Sequence, residues 1–136
     1  MTPEESDTPF RILDVCPCSF DHADMRRLIS GICSATVQQV RTGAEALEKL
    51  KTQSYQLVLI NRTLDGPMDG LSLLAAIRAK ASPPPAMLIS NYPDAQAKAR
   101  QLGALPGFGR AQMDAALPIE LLRRALGLET SDAVTP

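Results

Sequence analysis

Apolar residues fall into five short runs separated by stretches with helical spacing, and this alternation organises the chain. The first run, Ile12-Leu13-x-Val15-Cys16, predicts a strand over Arg11 to Cys16. It stops at Pro17, which has no N–H to give to a sheet. Ser19 or Asp21 then caps a helix beginning near His22 and reaching about Ser30. Met25, Leu28, Ile29 and Ile32 share one face of it, and Gly31 stands where helices commonly end. Ala35 to Val40 reads as a second strand. After Thr42-Gly43, a helix over Ala44 to Lys51 turns Ala46, Leu47 and Leu50 inward.

The strongest strand is Gln56 to Ile60, whose unbroken Leu57-Val58-Leu59-Ile60 suits a strand covered on both faces of a parallel sheet. Asn61 ends it, and Arg62 to Met68 form a loop containing Asp65-Gly66-Pro67. Asp69 caps a helix over Gly70 to Lys80 with Leu71, Leu74 and Ile77 inside. The rigid Ser82-Pro83-Pro84-Pro85 leads to a fourth strand, Ala86 to Ser90, and Asn91 to Asp94 open a helix over Ala95 to Leu102. Leu105 to Gly109 is a weak fifth strand, rich in glycine. A last helix, with Pro118 at its first position, runs to Leu126 before Gly127. Residues 1–10 read as a flexible leader, 11–127 as one domain and 128–136 as a flexible tail. Strand–helix five times over implies an α/β fold with a doubly wound five-stranded parallel sheet.

Composition narrows the function more than the fold. The 136 residues carry a formal net charge of -1, with the basic residues scattered, so there is no electrostatic footprint for nucleic acid. No apolar run approaches the roughly 20 residues of a membrane span, and the acidic start does not resemble a secretory signal. A cytoplasmic location is the expectation. Three cysteines, Cys16, Cys18 and Cys33, with the single His22, make a poor zinc set. Cys16-Pro17-Cys18 also lacks the C-x-x-C spacing of a redox turn. His22 falls in the opening turn of the first helix, where no Asn or Asp is evident to orient it beside a nucleophilic cysteine. Enzyme activity is therefore not expected.

Three segments carry a family resemblance: Thr42-Gly43-Ala44-Glu45-Ala46-Leu47, the stretch Leu57 to Leu74, and Gly103-Ala104 followed by Arg110. Together they resemble the CheY-like receiver domain of two-component systems, over roughly Arg11 to Leu126. The resemblance implies a flavodoxin-like (βα)5 fold with strand order 2-1-3-4-5. It also implies a site at the carboxyl ends of the strands, where two acids hold Mg²⁺, an Asp accepts a phosphoryl group, and a hydroxyl and a Lys assist. Matched residue by residue, the acid pair falls on Cys16 and Pro17, the acceptor on Asn61, the hydroxyl on Ser90 and the lysine on Arg110. A thiol, an imino ring and a neutral amide give a hard cation no carboxylate, so no cofactor is expected and Mg²⁺ binding should be lost or weak.

Asp14, were the first strand to slip, and Asp65 in the loop after Asn61 are candidate surrogate acids. The family's inward-moving aromatic on the fifth strand falls on Gly107, with Phe108 on the opposite face if the register is regular. The implied function is a receiver-like module in phosphorelay signalling that works without phosphorylation. Its partner would be a protein, such as a histidine kinase or another signalling protein, met through the fourth helix, fifth strand and fifth helix; self-association stays open. The alternative is a receiver that binds an anion or metal through Asp14 or Asp65, Ser90 and Arg110 and switches on it.

Overall fold

The computed structural model describes residues 9–128. Five parallel strands are β1 (Phe10–Val15), β2 (Ala35–Val40), β3 (Leu57–Asn61), β4 (Ala86–Ile89) and β5 (Leu105–Phe108), in the order β2-β1-β3-β4-β5. The helices between and after them are α1 (Ser19–Ser30), α2 (Gly43–Thr52), α3 (Gly70–Arg78), α4 (Pro93–Gln101) and α5 (Ala116–Ala125). The predicted leader lies outside the described residues except at its end, where Phe10 opens β1 and its N–H bonds Ser34 O. Of the predicted tail only Leu128 is described, and it packs on the core.

Strand alternation divides the core into two layers. Leu13, Val15, Val58, Ile60 and Leu88 face α2, α3 and α4. Ile12, Leu57, Leu59, Met87 and Phe108 face α1 and α5, meeting Met25, Ile29 and Leu122. This is why β3 is apolar at every position but its last: Leu57 to Ile60 are all fully buried. Each such side chain contributes about 1.5–3 kcal/mol on burial.

Helix starts follow local chemistry. Thr42 accepts from the Glu45 N–H while the Glu45 carboxylate reaches back to the Thr42 N–H, a reciprocal cap on α2. Asp69 caps α3 through the Ser72 N–H at 2.8 Å. Two starts differ from the sequence expectation. α1 begins at Ser19, because Pro17 turns the chain at once and the Cys18 sulfur takes the capping place, 3.5 Å from the Asp21 nitrogen. α5 begins at Ala116, so Pro118 is its third residue, still among the N–H positions that have no partner within a helix.

Candidate functional site

The loops at the carboxyl ends of β1, β3, β4 and β5 gather the residues singled out in the sequence. Cys16 leaves β1 fully buried, with its N–H on Val40 O at 2.9 Å and its thiol 3.3 Å from Cys18 O. Pro17 follows, its carbonyl accepting from the Arg41 guanidinium. Asn61 ends β3, and its amide Nδ2 lies 3.5 Å from the Cys16 sulfur. α3 starts close above it: a Cβ on Gly70 would stand 2.1 Å from Asn61 O, so only glycine fits.

Arg110 joins these groups. Gly109 and Gln112 close a short 3-10 turn after β5 that sends the arginine back over the strand ends. One guanidinium nitrogen, Nη2, donates to Asn61 Oδ1 at 3.0 Å and lies 3.4 Å from Cys16 Sγ. The other, Nη1, donates to Asp21 O at 3.1 Å, and Nε lies 3.7 Å from the Asp21 carboxylate. A delocalised cation with five fixed donors thus ties β1, α1 and β3 together. Burial pushes the Cys16 thiol pKa up, which keeps the sulfur a neutral neighbour of that cation.

The two candidate surrogate acids are held by partners outside Cys16, Asn61 and Arg110. β1 has not slipped: Asp14 pairs in register with Gln39 on one side and Leu59 on the other. It points with Ile12 toward α1, is fully buried, and meets His22 with Oδ2 2.8 Å from Nδ1. Oδ1 has no hydrogen-bond partner. The sequence expectation that nothing orients His22 is therefore wrong. The signal was there, an acid inside an apolar strand and the only histidine eight residues on, but only the packing of α1 on β1 brings them together. Asp65 lies in the β3–α3 loop, bridged to Thr42 and 3.9 Å from the Arg41 guanidinium.

At the other side of Asn61 is a cleft of about 180 Å³ lined by Asn61, Arg62, Thr63, Ser90, Tyr92 and Arg110, among others. Ser90 is nearly buried, and its hydroxyl accepts from the Tyr92 N–H at 3.2 Å. Arg62 lies over the Tyr92 ring, 5.7 Å from its centroid. The β4–β5 pairing is irregular: Met87 opposes Leu105 but Ile89 opposes Phe108, so β5 has one residue more. Gly107 and Phe108 nevertheless face opposite ways: a Cβ on Gly107 would meet Gln96 of α4, whereas Phe108 packs toward α1 and α5. Phe108 and Leu105, three apart, both pack on the α1 and α5 side. Gln96 of α4, which sequence reasoning did not single out, bonds the carbonyls around Gly107.

A parallel 2-1-3-4-5 sheet with helices on both faces and a polar group at the strands' carboxyl ends defines the flavodoxin-like class. Residues 21–105, more than half of the chain, match the model of the response regulator receiver domain, and the chain belongs to that family. Its fold is similar to a putative response regulator from Chloroflexus aurantiacus, with TM-score 0.77, 16% identity, and 88% of this chain and 99% of that one covered. It is likewise similar to the signal receiver domain of a signal transduction histidine kinase from Syntrophus aciditrophicus, with TM-score 0.73, 20% identity, and 93% and 98% covered. A third likeness is to the signal receiver domain of an HD domain-containing protein from Pseudomonas fluorescens, with TM-score 0.73, 26% identity, and 88% of each chain covered. No curated protein matches the sequence.

Proposed function

We propose that this receiver domain signals without being phosphorylated, by binding a protein partner such as a histidine kinase or another signalling protein. The observation that carries the reading is the Arg110 guanidinium seated 3.0 Å from Asn61 Oδ1. The acceptor position holds a neutral amide, which forms no acyl phosphate as a carboxylate does, and a cation already covers it. Cys16 and Pro17 offer no carboxylate beside it. Among the described residues no three His, Cys, Asp or Glu side chains form a metal-binding group. This donor set does not suit Mg²⁺, a hard cation that takes oxygen ligands. Phosphoryl transfer depends almost wholly on positioning and charge neutralisation around the transferred group, so losing nucleophile and metal together removes it.

The partner surface suggested by the family resemblance includes the start of α5, where Leu117 and Ile119 are 45% and 40% exposed. No helix among the described residues is long and apolar enough to cross a membrane, in keeping with a cytoplasmic role. Incubation with acetyl phosphate and Mg²⁺ tests the reading. Intact mass should stay unchanged, and a stoichiometric gain of about 80 Da, one phosphoryl group, would overturn it.

A second reading, non-covalent anion binding, is favoured by the cleft beside Asn61. Arg62, Ser90 and Arg110 line it and no carboxylate does. Melting temperature against sulfate, compared with chloride at equal ionic strength, separates the two. A saturable rise abolished by Arg110→Met supports the anion site, and superimposable curves dismiss it.

A further inference from the structure

Gln96 lies in the first turn of α4, beside the buried Ala95. Its Nε2 is 2.9 Å from Leu88 O, 3.1 Å from Ser90 O and 3.5 Å from Phe108 O. Two amide hydrogens are thus shared among three main-chain carbonyls at the ends of β4 and β5. Turning the amide over would set its oxygen against those same carbonyls, so this orientation is the one the contacts permit. Phe108 O also accepts the Ser90 N–H at 3.0 Å, so the amide adds to a ladder that the bulge between Met87–Leu105 and Ile89–Phe108 makes irregular.

Gly107 makes the arrangement feasible. A Cβ at that position would come 2.1 Å from Leu88 O and 2.9 Å from Gln96 Oε1, displacing the amide from its seat. α4 has little else to grip the sheet with, since its buried residues are Ala95 and Ala99. Ser90, meanwhile, spends its hydroxyl on the Tyr92 N–H next in the chain.

We propose that Gln96 is a built-in lock, holding the carboxyl ends of β4 and β5 and the first turn of α4 in one arrangement whatever the state of Asn61. It goes beyond the reading above, by giving a way for the α4–β5 surface to be presented constantly without a phosphoryl signal. Its test uses no phosphoryl donor, so the two readings fail separately.

Hydrogen exchange of the full chain, read on peptides across Met87–Tyr92 and Leu105–Gly109, measures the lock against β1 and β2 as internal reference. Gln96→Met keeps the side-chain volume and removes both donors, and Gln96→Ala removes volume as well. Both should raise exchange in those two segments by about tenfold or more while β1 and β2 stay within about twofold, a local opening rather than a global one. Native-like protection in Gln96→Met would mean that packing and not the amide holds the segment, and would overturn the proposal. So would an equal rise in β1 and β2, which would mark general destabilisation.

Discussion

Asp14 and His22 show how a carboxyl buried inside an apolar strand is tolerated. The carboxylate has no exposure to solvent, one partner and one oxygen without any. Desolvation raises its pKa above the ordinary carboxylate value, against the opposing pull of His22 and Arg110. Removing only the imidazole, as in His22→Leu, should cost roughly 1–3 kcal/mol in urea denaturation at neutral pH, because it leaves a buried carboxyl without its one partner. Asp14→Leu in the same background should recover most of that loss. The pH dependence has a definite sign. A carboxyl whose folded pKa is raised contributes most stability when protonated, below its ordinary value, and loses it as pH rises through the raised one. The deficit of His22→Leu should therefore shrink as pH falls through Asp14's raised pKa and grow above it; a pH-independent deficit would refute the assignment.

Helix starts are where local sequence and tertiary demand are easiest to separate. α2 and α3 are capped by oxygens, Thr42 and Asp69, and of the two the sequence reading named Asp69. The Ser72 N–H holds the Asp69 carboxyl below its ordinary pKa, so its contribution is present above the ordinary value and lost as pH falls through the lowered one. α1 is capped by a thiol at 3.5 Å, a weak acceptor at the long end of the range. Cys18→Ser should stabilise the domain by about 0.5–1 kcal/mol in chemical denaturation, since hydroxyl oxygens rank among the best N-caps. Equal or lower stability would show that the sulfur is held there for packing rather than as a cap.

For the molecule as a whole, the four strand ends act as a unit, and repairing one member should not restore the set. Asn61→Asp returns a nucleophile but sets it against Arg110 Nη2, where an ion pair would occupy it. Acetyl phosphate labelling of Asn61→Asp should remain absent. Cys16→Asp, Pro17→Asp and Asn61→Asp together should gain slow labelling, because groups that act jointly do not contribute additively. Rapid labelling of the single variant would show the pocket metal-competent as it stands. Titration of the native chain with Mg²⁺ should give no saturable shift in melting temperature, for want of carboxylates at Cys16, Pro17 and Asn61.

Apolar periodicity by itself determined the five strand–helix units, the order of layers and the burial of β3, because strand and helix periods are local and β3 must be apolar on both faces to sit in mid-sheet. The family resemblance singled out Cys16, Asn61, Ser90 and Arg110, and the elements put them at or just after the ends of β1, β3, β4 and β5. What neither could reach were contacts between elements far apart in the chain. Arg110 meets Asp21, Cys16 and Asn61 only because parallel strands bring their carboxyl ends to one edge. Asp14, a candidate surrogate acid were β1 to slip, keeps its register and is buried against His22, which depends on where α1 lies across β1. The bulge in β5 puts Leu105 and Phe108, three residues apart, on one side, because one extra residue resets an alternation whose period is two. Sequence sets which faces must be covered; the packing of distant elements decides which polar groups meet when they are.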